Sequence, residues 1–232
     1  MSVSLDGASI LVAGAGGIAE PLARQLAERG ARITLAARTP HRLQQAAPPG
    51  AALVAADLRR PSASAEVVRR VLEARGRLDG VVFAAGVVAF GGATQTDEAT
   101  FLELLEINLL APVRLLKAAA PYLADSAKAG GPAVVVNVSA VTAEMPTANM
   151  AAYSASKAAL TAYDAAAARE LRRQGIRLID ARLPHTETGL AQRPISGEPP
   201  KLPEGKKPEE VAARIVAAIV DGERDLPSSA FD

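Results

Sequence analysis

Tyr153 and Lys157 stand four positions apart in "AAYSASKAAL" (151–160), a stretch otherwise made almost entirely of small residues. The chain has three tyrosines in all, and an alanine-rich helix needs neither a phenol nor an ammonium group for its own sake. Residues four apart share one helical face, so both groups can point into a single cleft. At about 4 Å and an effective dielectric of about 20, ammonium and phenolate attract by on the order of 4 kcal/mol, nearly three pK units before desolvation is subtracted. Such a pull draws a phenol from about 10 toward a working pH, where it serves as a general acid/base. The plainer alternative is an aromatic that packs the helix and a lysine whose stem snorkels to solvent.

A second chemical signal lies near the start, in "ILVAGAGGIAEPLA", which reads as a strand, a tight glycine turn and a helix carrying Gly14-x-Gly16-x-x-Ala19. Glycines there let backbone approach a pyrophosphate, and the helix start supplies free N–H groups and a positive dipole end. A glycine turn can also be merely structural. The next apolar run ends "TLAARTPHRL". A carboxylate at that point would bond the ribose hydroxyls of NAD, whereas here Arg38, with Arg42 near it, suits a 2′-phosphate. NADP(H) is therefore expected over NAD(H). Asp57, after the third run, either accepts from the adenine amino group or caps a turn.

Positioning these groups requires a layered frame. Short apolar runs at 9–14, 32–37, 51–56, 79–85, 133–139 and 176–182 alternate with segments of helical period. That alternation predicts βαβ units, hence a doubly wound parallel sheet of six to seven strands with helices on both faces. "RDLP" near the end is a candidate edge strand. Two long helices are expected, over 98–127 and from 151 to about 174, and one more at "PEEVAARIVAAIVDG". The Pro- and Gly-rich segment 184–208 breaks the rhythm and is expected to be a functional or disordered loop. One domain spanning 1–232 is expected.

The totals exclude several classes. Lys plus Arg is 26 against Asp plus Glu 25, net +1, so no basic field marks nucleic acid as a partner. Cysteine is absent, which removes disulfides and thiolate chemistry and fits a reducing cytoplasm. His41 and His185 have no spaced ligand cluster, so no metal is expected. The N-terminus lacks the basic start of a secretion signal, and no apolar run reaches the roughly 18 residues that would cross a membrane. A cytoplasmic protein is expected.

Taken together, the glycine turn, Asp57, "FAAG" (83–86), "INLLAP" with Asn108, "NVSAVTAEMPTANMAAYSASKAAL" and "LPHTETGL" resemble the short-chain dehydrogenase/reductase family through nearly the whole chain. The resemblance implies a Rossmann-like fold and an oxidoreductase acting on a small carbonyl or alcohol. Tyr153 would then exchange a proton with the substrate oxygen while NADP(H) exchanges a hydride with the adjacent carbon. Lys157 would lower the tyrosine pKa and hold the nicotinamide ribose. Asn108 would position a water in a proton relay, and Thr188 would contact the nicotinamide amide or the diphosphate. Gly14, Gly16, Gly17 and Ile18 would hold the diphosphate, with Arg38, Asp57, Ala85, Gly86 and Pro184 completing the cofactor site. A homodimer or homotetramer, paired through the two long helices, is implied as well.

Three departures stand out. The glycine turn is one residue short of the family's usual form, with Ala13 and Ala19 at two of its positions. The family's substrate-orienting serine, thirteen residues before Tyr153, falls on Ala140; Ser139 is adjacent and would serve if the following loop bulges by one residue. His185 occupies a place where the family has glycine. Two classes of function remain open: an NADP(H)-dependent oxidoreductase, or an NADP(H)-binding relative with weak or no catalysis that acts as a sensor or scaffold.

Overall fold

The structure, a computed structural model, describes residues 3–232. Six strands form one sheet: β1 (Ser9–Ala13), β2 (Arg32–Ala37), β3 (Ala52–Ala55), β4 (Gly80–Phe83), β5 (Val134–Ala140) and β6 (Arg177–Leu183). Their order is β3-β2-β1-β4-β5-β6 and every pairing is parallel. The order reverses beside β1, so the crevice at the carboxyl ends of β1 and β4 is the switch point at which open α/β sheets bind ligands.

Side-chain alternation along the strands builds two core layers. Ile10, Val12, Ile33, Val136 and Ile179 face α1 (Ala19–Glu28) and α7 (Pro208–Asp221). Leu11, Val81, Phe83, Val135 and Leu178 face the other way, onto α3 (Ala63–Arg75), α5 (Ala111–Lys128) and α6 (Ala151–Leu171). The short α2 (Pro40–Ala46) follows β2, with Pro40 at its first position, where a missing N–H costs nothing. A third cluster, Val88, Phe90, Leu104, Ala140 and Tyr153, sits beyond the strand ends, where the chemistry was expected.

The stretch 98–127 differs from one plain helix. α4 (Glu98–Leu105) passes into a π-helical turn (Glu106–Leu110) before α5 begins, and Asn108 lies in that turn. A π turn inserts one residue into the helical ladder, a distortion that recurs at functional sites. "RDLP" does not become a strand. Leu226 makes a single parallel bridge to Ala181, and Pro227, which has no N–H to donate, ends the pairing there.

The segment 184–208 is an ordered roof. Thr186 bridges Lys206, and Ser196 bridges Ala89, so the segment is pinned at its base and at its middle. Gly197 (φ +74°) passes so close to Phe90 that an added Cβ would overlap its carbonyl oxygen. Among the described residues, no helix is long and apolar enough to cross a membrane.

Candidate active site

A cavity of about 560 Å³ runs along the carboxyl edge of the sheet, from the glycine turn to the space beneath the 184–208 roof. Its two ends have different chemistry. One is backbone and arginine; the other is apolar with a phenol and an ammonium.

At the first end β1 delivers Gly14, and α1 starts at Ala19 without any side-chain cap on its leading N–H groups. Ala19 N–H turns back to the Gly16 carbonyl at 3.0 Å and Pro21 has no N–H, so Glu20 N–H is the donor of the first turn left for a ligand. Gly14 packs so closely on Ala19, Ala84 and Ala85 that a Cβ would lie 3.0–3.3 Å from their atoms. Gly17 (φ +54°) has Thr188 against it, with a built Cβ only 3.0 Å from Thr188 Cβ, so the roof touches the glycine turn directly. Thr188 thus reaches Gly17 from about 170 residues away in sequence, and Gly16, Gly17, Ile18 and Thr188 all line the cavity. The shortened turn therefore still closes around the space that a diphosphate would fill.

Arg38 and Arg42 line the same end, as does Arg193, which sequence reasoning missed. Arg193 belongs to the roof and donates through Nε to the Gly189 carbonyl at 2.9 Å. Asp57 also lines the cavity, but Arg59 engages it, through the backbone N–H at 3.1 Å and the guanidinium at 2.6 Å. That hydrogen bond holds the Asp57 carboxyl below its ordinary range. Asp57 therefore caps a turn and faces the cavity at once.

At the other end Tyr153 and Lys157 are both buried, 6% and 4% exposed, and both line the cavity. One helical turn of α6 places them on one face, as their spacing predicts. Lys157 Nζ donates to the Val138 carbonyl at 2.9 Å. A Cβ on Gly86 would lie 3.7 Å from Nζ and 3.4 Å from Asn108 Oδ1, so Gly86, Asn108 and Lys157 form one compact group. Asn108 accepts from Val87 N (3.1 Å) and donates to Val87 O (3.0 Å) and Ser156 Oγ (3.0 Å). Its side chain ties the strand β4 extension to α6. Ala85 and Pro184 complete the walls.

Burial moves both groups of the pair toward neutrality. It pushes the Tyr153 phenol up, and it brings the Lys157 ammonium down to about 8, with Asp180 and Asp164 opposing the drop. The lysine's hydrogen bond goes to a carbonyl rather than to the phenol, and no neighbour lowers the phenol in the protein alone.

Ser139 lines the cavity at the end of β5. Its Oγ is engaged with α6, donating to the Lys157 carbonyl at 3.3 Å and meeting Thr161 Oγ1 at 3.2 Å. Alternation along β5 sends Asn137 and Ser139 to that side, and β5 pairs with β6 in unbroken register through Ala140. Ala140 instead shares the cluster of Tyr153. His185 lines the cavity and lies 3.2 Å from Glu187 through Nε2, within the roof.

Behind the pair lies a carboxyl that sequence reasoning missed. Asp164, on α6, is 1% exposed; Asn137 Nδ2 donates to its Oδ1 at 2.8 Å, and Oδ2 has no partner. Burial pushes it up to about 8, with Asp180 adding to the rise and Asn137 and Lys157 opposing it. A carboxyl whose folded pKa exceeds its unfolded value contributes most stability below the unfolded value and loses it as pH rises through the folded one. The melting temperature is therefore expected to fall between about pH 5 and pH 8, and Asp164→Asn to remove much of that slope and to melt higher than the parent at about pH 8. Calorimetry at both pH values checks this; parallel slopes would contradict it.

Comparison with known proteins agrees with this geometry. A family model described as short chain dehydrogenase matches residues 8–198. An 11-beta-hydroxysteroid dehydrogenase A of Sesamum indicum is 33% identical over 171 residues, 70% of this chain and 48% of that protein, so the chain spans about half the length of this relative. An uncharacterized oxidoreductase of Staphylococcus epidermidis is 26% identical over 214 residues, 91% of this chain and 90% of that one. The crystal structure of a 3-ketoacyl-(acyl-carrier-protein) reductase from Brucella melitensis, complexed with NADH, superposes with a TM-score of 0.89, covering 97% of each chain at 23% identity, which establishes the shared fold. With its six parallel strands, its cavity at the switch point and a family match over most of its length, the chain belongs to the short chain dehydrogenase family of oxidoreductases.

Proposed function

We propose that the chain is an NADP(H)-dependent oxidoreductase that interconverts a carbonyl and a secondary alcohol, with Tyr153 as the general acid/base and Lys157 as its partner. One observation carries this: Tyr153 and Lys157 line the same continuous cavity as the glycine turn, so one bound dinucleotide would bring its reactive ring to the pair. The residues present fit such a cofactor. Gly14, Gly16, Gly17, Ile18 and Thr188 surround the space for the diphosphate, and Arg38 and Arg42 offer guanidinium groups to a 2′-phosphate. When bound, the cofactor supplies or accepts the hydride.

The chain's own residues do the rest. Buried and protonated, Tyr153 gives its proton to the carbonyl oxygen in reduction and takes it back in oxidation. Lys157, held by Val138 beside Gly86, stabilises the phenolate that reduction leaves and bonds the nicotinamide ribose. Asn108 fixes the Val87–Ser156 side of the pocket and positions the water through which Tyr153 regains a proton. Val88, Phe90, Met150 and Leu190 make the substrate end apolar, in keeping with a ketone or alcohol flanked by hydrocarbon.

A second copy of the chain is the proposed partner. Phe101, Leu102, Leu110, Tyr122 and Tyr163 are exposed along α4, the π turn, α5 and α6, the helices through which a dimer would form. A second functional reading, an NADP(H) sensor or scaffold with weak catalysis, is favoured by Ala140 and by the engagement of Ser139 with α6.

Fluorescence titration tests the cofactor preference. The parent is expected to bind NADPH at least about tenfold more tightly than NADH, and Arg38→Ala to erase most of that difference while leaving NADH affinity within about twofold. Equal affinities in the parent would contradict the preference. Tight binding without turnover on a broad carbonyl panel would favour the sensor.

A further inference from the structure

A carbonyl oxygen gaining charge beside Tyr153 calls for a second hydroxyl donor. Ala140 has none to offer, and Ser139, which lines the cavity, has its Oγ engaged with the Lys157 carbonyl and Thr161 Oγ1 of α6. Two residues past Ala140, in the 3-10 turn Val141–Ala143, Thr142 lines the cavity and is 7% exposed. Its Oγ1 is buried and has no hydrogen-bond partner in the protein. Among the described residues, several buried side-chain polar atoms lack a partner, but only Thr142 Oγ1 belongs to a residue of this cavity wall. A buried hydroxyl left unpaired in the folded protein is costly and calls for an explanation, and a ligand that supplies the missing acceptor is one.

We infer that Thr142 donates a hydrogen bond to the substrate's carbonyl oxygen alongside Tyr153, supplying from position 142 the hydroxyl that Ala140 lacks. The inference rests on the carbonyl chemistry proposed above. A staggered step about χ1 moves the hydroxyl into a different one of the three positions on Cβ, so the oxygen can be turned toward the cavity without moving the backbone. During reduction the hydride adds to the carbonyl carbon and the π electrons move onto oxygen. Tyr153 transfers its proton to that oxygen, and Thr142 keeps its own, stabilising the charge as it develops.

The test compares the parent with Thr142→Val, Thr142→Ser, Ala140→Ser/Thr142→Val and Tyr153→Phe. NADPH serves as reductant and the probes are ethyl 3-oxobutanoate, cyclohexanone and acetophenone. Thr142→Val preserves shape and removes the donor. Its kcat is expected to fall about 100-fold with NADPH affinity within about twofold, Thr142→Ser to retain most of the turnover, and the double variant to recover about tenfold over Thr142→Val. Turnover by Thr142→Val within about threefold of the parent, while Tyr153→Phe is inactive, would overturn the inference and leave the proposed function standing. If Thr142→Val fails to fold, Ala140→Ser/Thr142→Ala replaces it, and an inactive double variant that still binds NADPH overturns the inference. A parent that binds no NADPH, or one indifferent to Tyr153→Phe, defeats the proposed function instead.

Discussion

Tyr153→Phe is expected to lower carbonyl reduction by about three orders of magnitude while NADPH binds as before. General acid catalysis by a placed side chain typically contributes about 10²- to 10⁴-fold, and Tyr153 is the buried phenol in the cavity wall. Its burial raises the phenol, so in the protein alone it is a proton donor at any working pH, the form that reduction needs. The substitution removes one hydroxyl and keeps the ring that packs on Val88, Phe90 and Ala140, so the fold and the cofactor end of the cavity stay intact. Steady-state rates and NADPH titrations on the same preparation check it. A loss of NADPH affinity equal to the loss of rate would mean that the hydroxyl holds cofactor and moves no proton.

Lys157→Met is expected to cost about 100-fold or more in turnover and also to weaken NADPH binding, because the ammonium serves both the phenolate and the ribose in the proposed mechanism. The pH dependence gives the sharper signature. With the ammonium brought down to about 8 by burial, the parent's turnover falls as pH rises through that value and the cation is lost; the methionine variant lacks that limb. Stability moves the opposite way. A lysine whose folded pKa lies below its unfolded value carries a burial penalty below about pH 8 that fades as pH rises toward about 10.5. The methionine variant should therefore melt higher than the parent at neutral pH, with the gain shrinking in alkali. A pH–rate profile and paired melting curves read both effects. An unchanged alkaline limb in the variant would assign that limb to another group.

The parts of this architecture that depend on local pattern were legible in the sequence. Runs such as "AVVVNVS" have the continuous apolar character of a strand buried on both faces, and "GAGG" between a strand and a helix admits few conformations. The Tyr153–Lys157 pairing follows from helical period alone. The parts that depend on distant contacts were not legible. Whether Ser139 or Ala140 faces the substrate turns on the phase of β5 at its last residue, set by its register with β6. The roof over 184–208 is shaped by Ala89, Phe90 and Gly17, all remote in sequence, so Arg193 gave no local sign of its place. Asp164 carried no motif that marks it as buried. Its spacing of seven from Lys157 and eleven from Tyr153 was the available signal, since those offsets return to the same face.

That geometry also ties the site to stability. Tyr153, Lys157 and Asp164 lie along one buried face of α6, and each has its ionised form disfavoured by burial. A helix with only packing duties would place alanine or leucine there; three buried ionisable groups on one face are costly without a function to retain them.

The central claim is that the Tyr153 phenol stands at the carbonyl oxygen while hydride reaches the adjacent carbon. NADPH carrying deuterium at both positions of nicotinamide C4, incubated with ethyl 3-oxobutanoate, cyclohexanone or acetophenone and analysed by mass spectrometry of the alcohol, tests it most directly. The parent is expected to place one deuterium on the carbinol carbon and Tyr153→Phe to yield about a thousandth as much labelled product in the same time. Labelled alcohol formed equally fast by both proteins, or formed by neither, would contradict the account.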